Sequence, residues 1–506
     1  MLFHSKDFIF IFFPIFFLLY YFAIRKNQKI GVYLLILSSL IFYSYYKFSY
    51  IFLILISVIL NFFFFQNIKK NKIIIFFAIF LNIALLVYYK YTNFLIYNLN
   101  TVFKSNIDYF NIVLPLAISF LTFQQISLLV DRYAGKVENI NFTSYLGYSV
   151  FFPHLIAGPI LTSKEVLPQI SNKKKIILNY DNILCGLNVF IIGLFKKIFI
   201  ADNLAFYSDS VFNSISAGND LSMLTAFIGC LSFSFQIYFD FSAYSDMAVG
   251  LAKIMGFDLP INFNSPYKSA SFIEFWSRWH ITLSRFIKNY IFQPLSLFIN
   301  TNLNVNFYKK KDIYNLGIVK EKVLTIFAPV FLAFLISGLW HGAAWGFVMW
   351  GGMHGFFVSI NYLFRSFNFR LPDNFFIKKI FVLIVFFITC ILWVPFRSAD
   401  LEATILFYKF LFLSNNFINL SDIDNFYNIK LLILLILSYF IIFFLPNSYE
   451  ITKYSFFQKN YSSNINYLNF YFKKNFYFLL IFLILFILSI INLEQLNYEQ
   501  FIYFQF

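Results

Sequence analysis

VLTIFAPVFLAFLISGLWHGAAWGFVMWGGMHGFFVSINYL, residues 323–363, holds no charged side chain, and its only imidazoles are His341 and His354. At its centre stands Leu339-Trp340-His341-Gly342-Ala343-Ala344-Trp345-Gly346. An apolar run of this length supplies two membrane crossings of about 20 residues each. A polar side chain inside a bilayer is expensive and is turned toward a bundle interior or a wet cavity, which makes His341 a functional candidate. The other reading is a helix-end residue that satisfies a carbonyl between two spans. Gly338, Gly342 and Gly346 recur at four-residue spacing and suit close helix packing rather than chemistry.

Composition extends the membrane reading to the whole chain. Of its 506 residues 60% are hydrophobic and only 12% charged, and the mean hydropathy is +0.72, whereas a soluble domain has roughly 25% charged residues. Phe (78) and Tyr (35) are so common that aromatic clusters alone say little about ligand stacking. Cys185, Cys230 and Cys390 are widely spaced in apolar surroundings and form neither a disulfide framework nor a metal-ligand pattern, so no metal is expected.

About twelve spans follow in order: 8–24, 30–46, 51–66, 73–89, 111–130, 182–200, 221–256 (bent), 323–340, 342–363, 380–396, 430–446 and 477–493. The basic residues Arg25, Lys26 and Lys29 come after the first run with no small-residue cleavage site, the reverse of a signal peptide. Alternation puts 29 basic residues in cytoplasmic segments, 7 outside and 3 within spans. Both termini are then extracytoplasmic, and the net charge of +16 is explained by topology and anionic lipid, with no nucleic acid as partner.

Two cytoplasmic segments are more than loops. Residues 145–170, with Pro153, His154, Gly158 and Pro159, are apolar but too short to span and read as re-entrant, His154 serving as a hydrogen-bonding residue at the break. Ser271–Tyr290 reads as one amphipathic helix in the inner interface, with Trp276, His280, Leu283 and Ile287 along one face. Glu274 and Arg278 can pair at i, i+4. Upstream, Asp240, Tyr244, Ser245 and Asp246 place carboxylates inside an apolar run, and the basic residues of the following helix are their nearest partners in sequence. Two functions compete: a proton-coupled transporter using Asp240, Asp246 and the histidines, or a membrane-embedded transferase. No internal repeat of the kind transporters carry is found.

FFPHLIAGPI (151–160), the stretch from Phe235 to Leu295 containing FDFSAYSDMA and EFWSRWH, and SGLWHGAAWGFVMWGGMHG (337–355) together resemble the membrane-bound O-acyltransferase (MBOAT) family. The likeness is to its bacterial branch of alginate and peptidoglycan O-acetyltransferases and teichoic-acid D-alanylation proteins, and it is strong over about 110–365. It implies an all-α polytopic fold, with re-entrant and amphipathic helices around a central funnel, in one integral-membrane domain. That domain divides into N-terminal helices 1–110, a catalytic core 111–365 and C-terminal helices 366–506. By the same resemblance, His341 is the catalytic histidine and His280 a second, less constant one. Asp240, Tyr244, Ser245 and Asp246 are expected to support the funnel, and Trp276 and Trp340 to bind substrate or donor.

The chemistry expected of such a site is general-base catalysis: a neutral imidazole takes the proton of a hydroxyl as it strikes a thioester carbonyl. Acetyl-CoA is the expected donor substrate, with no bound cofactor. Arg278, Arg285 and Lys288 either attract its phosphates or only set topology. The last residues, Phe501-Ile502-Tyr503-Phe504-Gln505-Phe506, resemble the C-terminal motif of the small partner in teichoic-acid D-alanylation. Tyr503 is thus expected to relay the acyl group to an extracytoplasmic SGNH (esterase-like) acetyltransferase partner; otherwise it is an interfacial aromatic anchor. The resulting expectation is a bacterial inner-membrane O-acetyltransferase acting on peptidoglycan first, or an alginate-like exopolysaccharide second.

Overall fold

A computed structural model describes residues 1–506 except 70, 172–175, 303–320, 370–373, 419–427, 455–475 and 496–506. The described residues are helical without strands. In chain order the helices are α1 (Asp7–Lys26), α2 (Gln28–Ser44), α3 (Tyr50–Asn67), α4 (Lys72–Phe103), α5 (Ile118–Tyr133), α6 (Phe142–Val150), α7 (Phe152–Leu155), α8 (Ser163–Ile170), α9 (Tyr180–Ser216) and α10 (Met223–Ile254). There follow α11 (Phe272–Arg278), α12 (Ile281–Ile287), α13 (Gln293–Asn302), α14 (Val323–His341), α15 (Trp345–Ser366), α16 (Phe375–Arg397), α17 (Leu401–Leu413), α18 (Ile429–Phe444), α19 (Ser448–Thr452) and α20 (Phe476–Gln495).

Among the described residues, eight helices are long and apolar enough to cross a membrane, and α2 and α18 are shorter apolar helices. The chain is a multi-pass membrane protein. The span expected at 111–130 is shortened: Pro115 and the left-handed backbone of Ala117 (φ 66°) delay the helix until Ile118.

The chain divides into two compact units. One comprises residues 1–199, 241–261 and the described residues from 446 onward. In it α1 packs on α2, α4 on α5, and the start of α9 on α20. Glycines permit a close crossing here: a Cβ on Gly186 would lie 2.5 Å from the Gly250 carbonyl oxygen, and one on Gly250 2.6 Å from that of Gly186. The second unit comprises residues 200–240 and 262–445, and α14 and α15 are its most extensive pairing. A Cβ on Gly338 would stand 2.2 Å from the Phe347 carbonyl oxygen, so the two helices touch backbone to backbone.

The expected single helix over Ser271–Tyr290 is two helices. Ser271 caps α11 by accepting from the Glu274 N–H at 3.2 Å. The chain then breaks at Trp279 (extended) and His280 (φ 41°, left-handed) before α12 begins. Residues 262–264 hold that break: the Asn264 N–H donates to Arg278 O and the Ile281 N–H to Asn262 O, each at 2.9 Å. A left-handed non-glycine residue costs about 1–2 kcal/mol, which these bonds offset. His280 is therefore a corner residue and shares no helical face with Trp276.

Candidate functional site

His341 ends α14, where the helix stops at the extended backbone of Gly342 (φ −156°). Its ring is 6% exposed and is boxed by Trp340 (4.9 Å between centroids), Trp350 (5.0 Å, edge on) and Phe396 (5.4 Å). Gly342 is required beside it, because a Cβ there would fall 2.0 Å from the Phe347 ring. The box continues inward: Trp350 stacks on Trp393 at 5.7 Å, Trp393 meets Trp279 at 4.8 Å, and Trp276 meets Trp350 at 5.8 Å. Five of the chain's six tryptophans thus share one cluster.

Two further histidines belong to it. The Trp276 indole N–H donates to His354 Nδ1 at 3.3 Å. An indole nitrogen is a donor only, so His354 carries its own proton on Nε2. His280 is fully buried, its Nδ1 3.0 Å from Asn262 Oδ1. That same Oδ1 accepts from the Thr282 backbone N–H at 3.3 Å and from Thr282 Oγ at 2.9 Å. A backbone N–H can only donate, so the amide atom is the oxygen and Nδ1 must bear the proton. His280 Nε2 is left with the lone pair. Burial pushes the His280 pKa down to about 3, so the ring is neutral at physiological pH.

Against the α14–α15 pair lies a cavity of about 930 Å³. Arg285, Lys288 and Arg365 line it, together with Thr325, Val330, Ala333, Phe334 and Ser337 of α14 and Trp276 of α11. From Thr325 to Ser337 the helix rises by about 18 Å, and His341 stands one turn beyond on the same face. The cavity thus carries three cationic side chains and runs along α14 to within one turn of His341.

The structure thus brings together His341, Trp340, Trp276, His280, Arg285 and Lys288 within one unit. Arg278 behaves differently: its guanidinium pairs with Glu274 at 2.8 Å, as its spacing suggests, and it is absent from the cavity lining. Asp240 is buried in the same unit as His341, but Tyr244, Ser245 and Asp246 belong to the other. Asp246 does not take its cation from the residues after α10. It accepts from Lys196 Nζ at 2.9 Å and Ser448 Oγ at 2.8 Å, a buried tie within its own unit. Tyr244 stacks on Phe3 at 4.7 Å. His154 is a structural residue at the break, its Nε2 3.1 Å from both the Tyr148 carbonyl and Gln124 Nε2. Tyr503 lies outside the described residues.

Sequence reasoning left out Asn262, His354, Trp350, Trp393 and Ser337 as site residues. His354 and Trp350 stand within the quoted run 323–363, and their histidine and tryptophan identity is a signal that was available. Asn262 and Trp393 join the site only through tertiary packing.

An all-helical multi-pass membrane protein in which buried His280, His341 and His354, an aromatic box and a cation-lined cavity share one unit is the class these features define. Residues 132–303 match the membrane-bound O-acyltransferase family. The chain is 37% identical over 442 residues to the peptidoglycan O-acetyltransferase of Helicobacter pylori, covering 80% of this chain and 78% of that protein. It is 31% identical over 424 residues to a probable alginate O-acetylase, AlgI, of Pseudomonas aeruginosa (81% and 75%). With the teichoic acid D-alanyltransferase of Bacillus subtilis it shares 28% identity over 285 residues (55% and 68%). The chain belongs to the membrane-bound O-acyltransferase family and is an acyltransferase.

Proposed function

We propose that the protein is an O-acetyltransferase of the bacterial inner membrane that carries acetyl from cytoplasmic acetyl-CoA toward a cell-envelope polysaccharide, with peptidoglycan as first acceptor and an alginate-like polymer as second. The observation that carries this reading is the cavity along α14, lined by Arg285, Lys288 and Arg365 and ending one turn short of His341. The higher identity to a protein named for peptidoglycan supports the order of acceptors.

Arg285 and Lys288 draw the phosphates of acetyl-CoA into the cavity, and its thioester extends toward His341. The acceptor hydroxyl oxygen attacks the thioester carbonyl carbon while His341 takes its proton. The tetrahedral intermediate then breaks its C–S bond, and the departing thiolate receives the proton from the imidazolium, leaving ester and free CoA. His280, neutral and with Nε2 as acceptor, assists as the second histidine. The acceptor hydroxyl is that of Tyr503, which hands the acetyl group to an extracytoplasmic esterase-like partner in a ping-pong sequence. Both termini are extracytoplasmic in this scheme.

Two measurements test the scheme. With full-length protein in liposomes and acetyl-CoA, His341→Ala loses transfer by about 10²–10⁴-fold while remaining folded; undiminished transfer defeats the enzyme mechanism. Intact-mass analysis after incubation with acetyl-CoA detects an acetyl adduct in the wild type and none in Tyr503→Phe. An adduct that persists in the variant defeats the relay and leaves the transferase standing.

A further inference from the structure

Five Ser or Thr side chains line the cavity: Ser277, Ser284, Thr325, Ser337 and Ser366. Four are tied back to the backbone. Ser277 donates to Glu274 O at 2.7 Å, Ser284 to Trp279 O at 3.4 Å, Thr325 to Glu321 O at 2.8 Å and Ser366 to Leu363 O at 2.7 Å. Ser337 differs. It is 2% exposed, and its Oγ has no hydrogen-bond partner among the described residues.

A helical serine ordinarily returns its hydroxyl to the carbonyl four residues back, as Ser39 does to Leu35 and Ser489 to Leu485, each at 2.7 Å. Ser337 forgoes Ala333 O and stands instead in the cavity wall with Val330, Ala333, Phe334 and Val358, one helical turn before His341. A buried donor without a partner is costly, and an acceptor on a ligand offsets that cost. The acceptor this position fits is a carbonyl of a ligand in the same cavity, whose three lining cations favour an anionic ligand.

Resting on the acetyl-CoA reading above, we propose that the Ser337 hydroxyl donates a hydrogen bond to the thioester carbonyl oxygen of the acyl donor, holding that carbonyl one helical turn from His341. As the carbonyl carbon becomes tetrahedral its oxygen gains negative charge, and the same hydrogen bond strengthens. Ser337 is thereby a donor to the developing oxyanion, and no bond to Ser337 itself is made or broken.

The test uses full-length protein in liposomes with acetyl-CoA. Ser337→Ala lowers kcat on the order of 10²-fold with KM for acetyl-CoA nearly unchanged, and Ser337→Thr, which keeps the hydroxyl, recovers most of the rate. Infrared difference spectra of carbonyl-labelled acetyl-CoA bound to the inert His341→Ala protein show a lowered thioester stretch that reverts when Ser337→Ala is added, a readout independent of turnover. An active wild type with an equally active Ser337→Ala overturns the Ser337 assignment alone. So does a raised KM at unchanged kcat. A wild type that transfers nothing from acetyl-CoA overturns the donor reading and this assignment together.

Discussion

Asn262 Oδ1 accepts a hydrogen bond from His280 Nδ1 across 3.0 Å and thereby decides which ring nitrogen is basic. The two residues are eighteen positions apart, and the backbone bonds of 262–264 to the corner at 278–281 hold them in register. Asn262→Leu keeps the approximate volume and removes the acceptor. Transfer is expected to fall by the same factor as in His280→Ala, and the double variant to be no slower than either single one. Additive losses in steady-state rates would show that Asn262 acts elsewhere.

Acid stability follows from the buried imidazoles outside the membrane-spanning helices. Burial lowers the pKa of His280 to about 3 and of His154 to about 4, whereas an unfolded histidine titrates near 6.5. Between those values the unfolded chain binds protons that the folded chain refuses, so stability rises with pH. The contribution is complete above about pH 6.5 and is lost as pH falls toward the folded values, by on the order of 1 kcal/mol per pH unit for each group. Thermal unfolding in detergent is expected to show this decline, with a shallower slope in His154→Gln. An unaltered slope would assign the decline to other groups.

Helix contact between α14 and α15 sets a second stability test. In Gly338→Ala the new methyl meets the Phe347 carbonyl oxygen at 2.2 Å, a backbone atom that cannot rotate away. The expected loss is about 1–3 kcal/mol, read as a lowered Tm and reduced yield of folded protein. Gly352→Ala is the control on the same pair: its nearest neighbour is the flexible Leu335 Cδ2 at 3.4 Å. That variant is expected to match or slightly exceed the wild type, since alanine is the better helix former.

Donor affinity discriminates among the three basic residues of the 271–290 segment. Arg285→Ala and Lys288→Ala, each of which removes one of the three cations lining the cavity, are each expected to raise KM for acetyl-CoA roughly ten-fold, the loss of one charge-assisted contact. Added salt should weaken the wild type more than the double variant. Arg278→Ala, which removes a partly exposed pair with Glu274 and a 3.4 Å bond to Asn264 O, is expected to change KM little. An Arg278 effect as large as that of Arg285 would move the phosphate site to the corner.

Much of this was legible in the chain. The charge-free run 323–363 and the overall composition determine a multi-pass helical membrane protein, because hydrocarbon admits few charges and leaves no backbone polar group unpaired. The same run exposes His341 as a buried imidazole, and the 271–290 segment shows Trp276 and the cations by identity alone. The Glu274–Arg278 pair follows from helical spacing, a local property.

Other features were decided by contacts between residues distant in sequence. Periodicity over 271–290 favours one continuous helix, yet the bonds from 262–264 stabilise a left-handed corner at His280 that local propensity opposes. Proximity in sequence offered Asp246 the cations after α10, but packing supplied Lys196 and Ser448 from elsewhere in its own unit. Ser337 reads in the sequence as one more helical serine. Its unbonded hydroxyl, like the tautomers of His280 and His354, exists only once the neighbouring donors and acceptors are in place. The sequence alone determined which side chains must leave lipid, because transfer energies belong to residue types. Only the tertiary structure decided what each of them meets, because a hydrogen bond depends on distances and directions that no single segment sets.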